Sequence, residues 1–252
     1  MSGHSRWAGI KHKKAVVDAK RGKIFTKIVR EIMVAAKNGG GKPENNPRLR
    51  KAIDDAKAAN VPQDNVKRAI QKGTGELPGQ SIEELTYEGY GPGGVAIFIE
   101  ATTDNKNRTT SQIRHLFSEH GGNLGESGCV AFLFDSKGYI TVPKESLSEE
   151  KMMSIAIEVG ADDIKTEEET YEIFTDPAQM ESIKDKLLAA QVKIASSEIS
   201  LIPKNSIKLE GDDAKRCLEL MEALEEHDDV KTSSANFDIS DEILQKVTNQ
   251  DK

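Results

Sequence analysis

The sequence predicts an α+β fold of three domains: an all-helical N-terminal domain and two α/β domains, one inserted in the other. Three observations carry this. Up to about residue 80, apolar residues recur at three- and four-residue spacings, the period of an amphipathic helix. After a Gly- and Pro-containing stretch at 73–81, short apolar runs rich in β-branched residues alternate with helical segments. Within 136–203 the order of elements reads strand, helix, strand, strand, helix, strand.

In the first domain, Phe25, Ile28, Val29, Ile32, Met33 and Ala36 form one stripe of a helix over 20–38. Lys20, Lys23, Lys27, Arg30 and Lys37 fall on the opposite face, so a core and a basic surface coexist on one element. Gly39 to Gly41 end it. Asn46 followed by Pro47 reads as an N-cap with proline in the first turn of a second helix, with Leu49, Ala52, Ile53 and Ala56 inward. Pro62 opens a third helix that turns Val66, Ala69 and Ile70 inward and shows Lys67, Arg68 and Lys72. Gly73 stops it, and 73–81 reads as a linker.

Beyond the linker, 86–90 and 95–101 are read as strands around the turn Gly91-Pro92-Gly93-Gly94, 108–120 as a helix, and 129–134 (CVAFLF) as a further buried strand. The unit at 136–203 has the βαββαβ order of a ferredoxin-like fold. A strand near 207–209, a helix over 213–226 and a strand near 235–239 would join 95–134 in a second ferredoxin-like domain. The expected boundaries are 1–80 for the basic helical domain with its arm and linker, 81–135 with 204–240 for the discontinuous domain, 136–203 for the acidic insertion, and 241–252 for a tail.

The net charge of −7 conceals a polarised chain. Residues 1–80 hold 18 Lys and Arg against 7 Asp and Glu, a balance of +11; the remainder holds 17 against 35, a balance of −18. A positive end attracts phosphate and an acidic body repels it. The arm carries Arg6, Trp7, Lys11, His12, Lys13, Lys14, Lys20 and Arg21 with little apolar content, so it is expected to stay mobile until bound. Trp7 suits stacking on an unpaired base or packing on the first helix. The candidate nucleic-acid contacts are therefore Arg6, Trp7, Lys11, His12, Lys13, Lys14, Lys20, Arg21, Lys23, Lys27, Arg30, Arg48 and Arg50. Arg108 and Arg114 are weaker additions, since capping explains their loop equally well.

Several chemistries lack their residues. The glycine-rich segment at 87–94 has neither the Lys-Ser/Thr of a phosphate loop nor the spacing of a dinucleotide fingerprint. The five histidines form no ligand pair, and Cys129 and Cys217 stand alone, read as buried free thiols. Glu84, Glu88 and Glu100 make no evident carboxylate pair. No catalytic residue, cofactor or metal is expected, and an enzyme with a site in the cleft between the α/β domains ranks last. No apolar run reaches membrane-spanning length and the N-terminus has no secretory pattern, so no membrane partner and a cytoplasmic location are expected. The acidic domains are open to a protein partner, with solubility the simpler account.

The segments GHSRWAGIKHKKAVVDAKRGKIFTKIVREI, NPRLRKAI, YEGYGPGGVAIFIEATTDNKNRT and HGGNLGESGCVAFLF resemble the YebC/PmpR family over nearly the whole chain, most strongly up to about Phe134. The resemblance implies a helical domain and two α/β domains, one inserted in the other. It also implies regulation of gene expression, as a DNA-binding transcriptional regulator or, in other members, as a translational activator linked to the ribosome and its RNA.

Overall fold

A computed structural model describes residues 18–78, 82–167 and 169–240. The fold is the expected mixture: a helical N-terminal region followed by α/β domains built on antiparallel sheets. Leu133–Lys204 is one compact unit, and the described residues before and after it form the other.

The helical region holds α1 (Asp18–Gly39), α2 (Pro47–Ala58) and α3 (Gln63–Gly73). Ile32, Ala35, Ala36, Leu49, Ala52, Ala56 and Ala69 form its core. Asn46 caps α2, accepting from the Leu49 N–H at 3.0 Å. Its amide also donates to the Ala35 and Gly40 carbonyls at 2.7 and 2.9 Å, which ties the end of α1 to the start of α2. Helices α1 and α3 meet at Gly73, where an added Cβ would lie 2.4 Å from the Met33 carbonyl oxygen. Only a glycine permits that approach.

In the same unit, β1 (Glu83–Tyr90) and β2 (Ala96–Thr103) form a hairpin registered from Glu83↔Thr103 to Tyr90↔Ala96. Its turn places Gly93 and Gly94 at positive φ. Then follow α4 (Lys106–Glu119), β3 (Asn123–Leu124) and, after the insertion, β8 (Ile207–Lys208), α7 (Gly211–Glu226), β9 (Val230–Ala235) and β10 (Phe237–Asp238). The main sheet has the order β3-β1-β2-β9, and β8 pairs with β10 in parallel. Ile97, Ile99, Ile113, Phe117, Leu220, Met221 and Leu224 unite sheet and helices in one apolar core. The arrangement is that of a ferredoxin-like layer whose central strands are joined directly as a hairpin.

The insertion contains β4 (Phe134–Pro143), α5 (Glu149–Val159), β5 (Asp163–Thr166), β6 (Thr170–Thr175), α6 (Met180–Ala189) and β7 (Ser196–Pro203). Its sheet order, β5-β6-β4-β7 with every pair antiparallel, is the ferredoxin-like order.

Two elements depart from expectation. Residues 129–134 are not a strand: a turn leads into a single 3₁₀ turn at Ala131–Leu133, and β4 starts at Phe134. An unbroken apolar run carries no period, so its pattern does not distinguish strand from other buried backbone. Here the Val130 and Ala131 N–H groups donate to the Glu88 carboxylate, each at 2.8 Å, instead of to a neighbouring strand. Cys129 in this turn is only partly buried, whereas Cys217 is buried and its thiol is pushed up to about 12, by burial first and then by Asp213. The second departure is β9, which takes the place beside β2 expected of 235–239, while the expected strands near 207–209 and 235–239 pair with each other as β8 and β10 outside the main sheet. The β9 sequence VKTSSA lacks apolar alternation, yet Ser233 and Ser234 are buried in it.

Candidate nucleic-acid interface

Arg6, Trp7, Lys11, His12, Lys13 and Lys14 lie outside the described residues, and Lys20 and Arg21 fall in the first turn of α1. Of the other predicted contacts, Lys23, Lys27 and Arg30 meet the acidic C-terminal half of the same unit. Lys27 Nζ donates to the Glu225 carbonyl at 2.6 Å, Lys23 faces the Glu226 carboxylate at 3.5 Å, and Arg30 donates to the Asp228 carbonyl. All three approach the C-terminal end of α7, where unpaired carbonyls and the helix dipole present negative charge. A side chain chosen for phosphate also suits a helix C-terminus, and that is the partner these cations have in the fold.

Asp229 completes this contact. It is 2% exposed and lies between α7 and β9. Its Oδ1 is 2.6 Å from Arg30 Nη1, and its Oδ2 accepts from Thr109 Oγ1 at 2.6 Å and Arg108 Nη2 at 2.9 Å. Burial raises the affinity of this carboxyl for a proton, but the Thr109 hydroxyl and the two guanidinium groups outweigh it and hold it below the usual range. Arg108 also pairs with Asp104 at 2.8 Å.

A second network lies nearby. Arg48 grips Glu31 at 2.7 and 3.1 Å and Glu84 at 2.6 and 3.1 Å, while Lys231 reaches Glu31 at 3.1 Å. Arg48 thus bridges α1, α2 and β1 in the two-pronged geometry for which guanidinium is suited. Burial works against the charged form of Glu31, yet Arg48 and Lys231 hold its carboxyl low. Arg50 donates to the Pro43 and Glu44 carbonyls at 3.3 and 3.1 Å, bracing the turn before its own helix.

Other cations remain available. Lys67, Arg68 and Lys72 are exposed on α3, and their side chains have no hydrogen bond or ion pair among the described residues; the same holds for the Arg114 side chain on α4. The α3 residues are the ones the candidate list passed over. The sequence places them outward, but exposure alone does not rank them above Lys27 or Arg30. Beside them, a cleft of about 390 Å3 runs between α1 and α3, lined by Phe25, Thr26, Val29, Arg30, Met33, Asn65, Lys72, Ile82 and Asp104. Among the described residues, no group of three or more His, Cys, Asp or Glu is placed to hold a metal, and no helix is long and apolar enough to cross a membrane.

His227 adds a pH-sensitive contact. Its Nδ1 accepts from the Asp229 N–H at 3.1 Å, which leaves Nε2 to donate to Gln112 Oε1 at 3.1 Å. Burial lowers its pKa below 6.5, and Lys27 and Arg30 add to this against the pull of Asp229 and Asp228. The unfolded chain therefore takes up the proton more readily than the folded one, and this contribution to stability is full above 6.5 and lost as pH falls below it. Urea midpoints measured from about pH 7.5 to 5 should decline in wild type and decline less in His227→Gln. Equal slopes for both proteins would remove His227 as the cause.

A helical region bearing cations, followed in the chain by two acidic α/β domains, defines the class of fold, and its similarity to known proteins gives the family. Residues 5–76 match the model of the TACO1/YebC protein N-terminal domain, and residues 82–237 match that of the TACO1/YebC second and third domain. A protein of Pelotomaculum thermopropionicum is 57% identical, covering 96% of this chain and all of that one; a protein of Dictyoglomus turgidum is 53% identical, covering 98% and all of that one. Both are named "Probable transcriptional regulatory protein". The crystal structure of a conserved hypothetical protein from Aquifex aeolicus matches with a TM-score of 0.85 at 53% identity, covering 95% of this chain and 99% of that one. The chain belongs to the TACO1/YebC family.

Proposed function

We propose that this chain is a nucleic-acid-binding regulator of gene expression, acting on DNA as a transcriptional regulator. The observation that carries the reading is the set of exposed cations on α3, Lys67, Arg68 and Lys72, whose side chains have no partner among the described residues, in the domain whose balance is +11. The names of the curated relatives point the same way. Phosphate contact falls to these residues and to the arm cations Arg6, Lys11, Lys13, Lys14, Lys20 and Arg21, with Trp7 and His12 beside them. Lys23, Lys27, Arg30 and Arg48 instead brace the helical domain against the α/β domain, and Arg50 braces its own turn. The role requires no nucleophile, metal or cofactor.

Salt dependence tests this. Each phosphate neutralised releases counterions and adds about 0.9 to the slope of log affinity against log salt on duplex DNA. A variant with Lys67, Arg68 and Lys72 changed to Gln should lose two to three contacts and flatten the slope by about 2 to 3, while Lys27→Gln should leave it nearly unchanged. Duplex DNA, single-stranded DNA and structured ribosomal RNA are compared in parallel. Preference for ribosomal RNA would move the role from transcription to translation, and absence of binding to all three at low salt would overturn the reading.

A further inference from the structure

We propose that the cleft between α1 and α3 receives one unpaired base of a nucleic-acid strand, with the adjoining phosphates on Arg68 and Lys72. The proposal rests on the nucleic-acid reading above and adds to it a site and a ligand form. The cleft's volume of about 390 Å3 falls within the range of about 300–1,000 Å3 typical of small-ligand sites. Its lining divides by chemistry. Phe25, Val29, Met33 and Ile82 offer an apolar surface with one aromatic ring, and Asn65 offers an amide with both a donor and an acceptor. A base has the matching division, two apolar faces and a polar edge, and protein aromatic rings are common stacking platforms for it.

The charges around the cleft fix how a strand would lie. Lys72 lines it and Arg68 lies four residues earlier, on the same side of α3. Asn65 precedes Arg68 by three residues, so one helix face presents an amide and then two cations. The side chains of Asn65, Arg68 and Lys72 make no hydrogen bond or ion pair among the described residues. The opposite wall is neutralised: Arg30 is held by Asp229, and Asp104 is held by Arg108. The exposed cations Arg68 and Lys72 thus place the sugar-phosphate chain along α3, with its base turned toward α1. A paired base has its edge occupied and its faces stacked, so the cleft favours single-stranded over duplex substrate.

The test uses the full chain and oligonucleotides carrying 2-aminopurine at a central position, as single-stranded RNA, single-stranded DNA and duplex DNA. Binding of a single strand should change the 2-aminopurine emission, and binding of the duplex should not. Val29→Trp, which fills the cleft, should weaken single-strand binding by about ten- to a hundredfold, the range expected for one stacked base, and leave duplex binding within about twofold. Asn65→Ala, an exposed change that does not threaten folding, should weaken the single strand alone; Lys72→Gln should lower the salt slope by about one. The result with either sugar supports the proposal and identifies the strand. Unchanged emission, or single-strand affinity insensitive to both Val29→Trp and Asn65→Ala while all ligands still bind, overturns the cleft and leaves the nucleic-acid reading intact. If no oligonucleotide binds at low salt, that reading fails and the cleft proposal with it.

Discussion

Asp229→Ala is expected to destabilise the unit formed by the helical region and the first α/β domain by about 3 kcal/mol, near the lower end of what removing one member of a buried ion pair costs. The carboxylate is 2% exposed and receives two guanidinium groups and a hydroxyl. Its loss leaves Arg30 without its ion-pair partner and the buried Thr109 hydroxyl without its shortest hydrogen bond. Arg108 adds less, because it is 42% exposed on its side chain and keeps Asp104. Asp229→Asn should fall between wild type and Ala, retaining an acceptor but not the charge. Urea unfolding of the three proteins measures this directly, and an Asp229→Asn/Arg30→Met double-mutant cycle isolates the pair, with a coupling of about 1 kcal/mol or more expected. A cost below about 0.5 kcal/mol for Asp229→Ala would show that solvent, not the network, carries this charge.

This network explains which parts of the molecule were legible in the sequence. The three helices of the N-terminal region, the cap at Asn46, and the βαββαβ order of the insertion all follow from local rules: apolar period, a capping side chain, a glycine at a helix end. The basic surface was legible as charge but not as partnership. Lys27, Arg30 and Arg48 have the same chemistry as Lys67, Arg68 and Lys72, and what separates the two sets is contact with residues about 200, 200 and 36 positions away in the chain. Asp228-Asp229 reads locally as a solvated acidic pair. Only the return of the chain after the insertion puts it against α1 and α4. The polar strand β9 escaped for a related reason: Ser233 and Ser234 are buried by their neighbours in the sheet, not by any apolar pattern of their own.

Glu88 is the strongest case of a residue whose meaning lies wholly in tertiary structure, and Glu88→Ala should cost about 3 to 5 kcal/mol. It stands in β1 at 5% exposure, where a carboxylate without compensation would be prohibitive. Its Oε1 accepts from the Gly128 N–H at 2.7 Å, and its Oε2 accepts from the Val130 and Ala131 N–H groups, both at 2.8 Å. Burial pushes its proton affinity up, but three backbone donors hold the carboxyl below the ordinary range. Each donor left unsatisfied in a buried setting costs about 1 to 3 kcal/mol, and partial access to water for Gly128 and Ala131 keeps the total below the sum. Glu88→Gln should be milder, since its amide oxygen can still serve part of the set. The site of damage separates this variant from a general core defect. The N–H groups of Gly128, Val130 and Ala131 have the carboxylate in place of a strand partner, so hydrogen exchange in Glu88→Ala should accelerate there first, ahead of β2 and α7. Uniform acceleration across the unit, or a stability loss below about 1 kcal/mol, would mean that water replaces the carboxylate and that Glu88 does not shape the turn leading into the inserted domain.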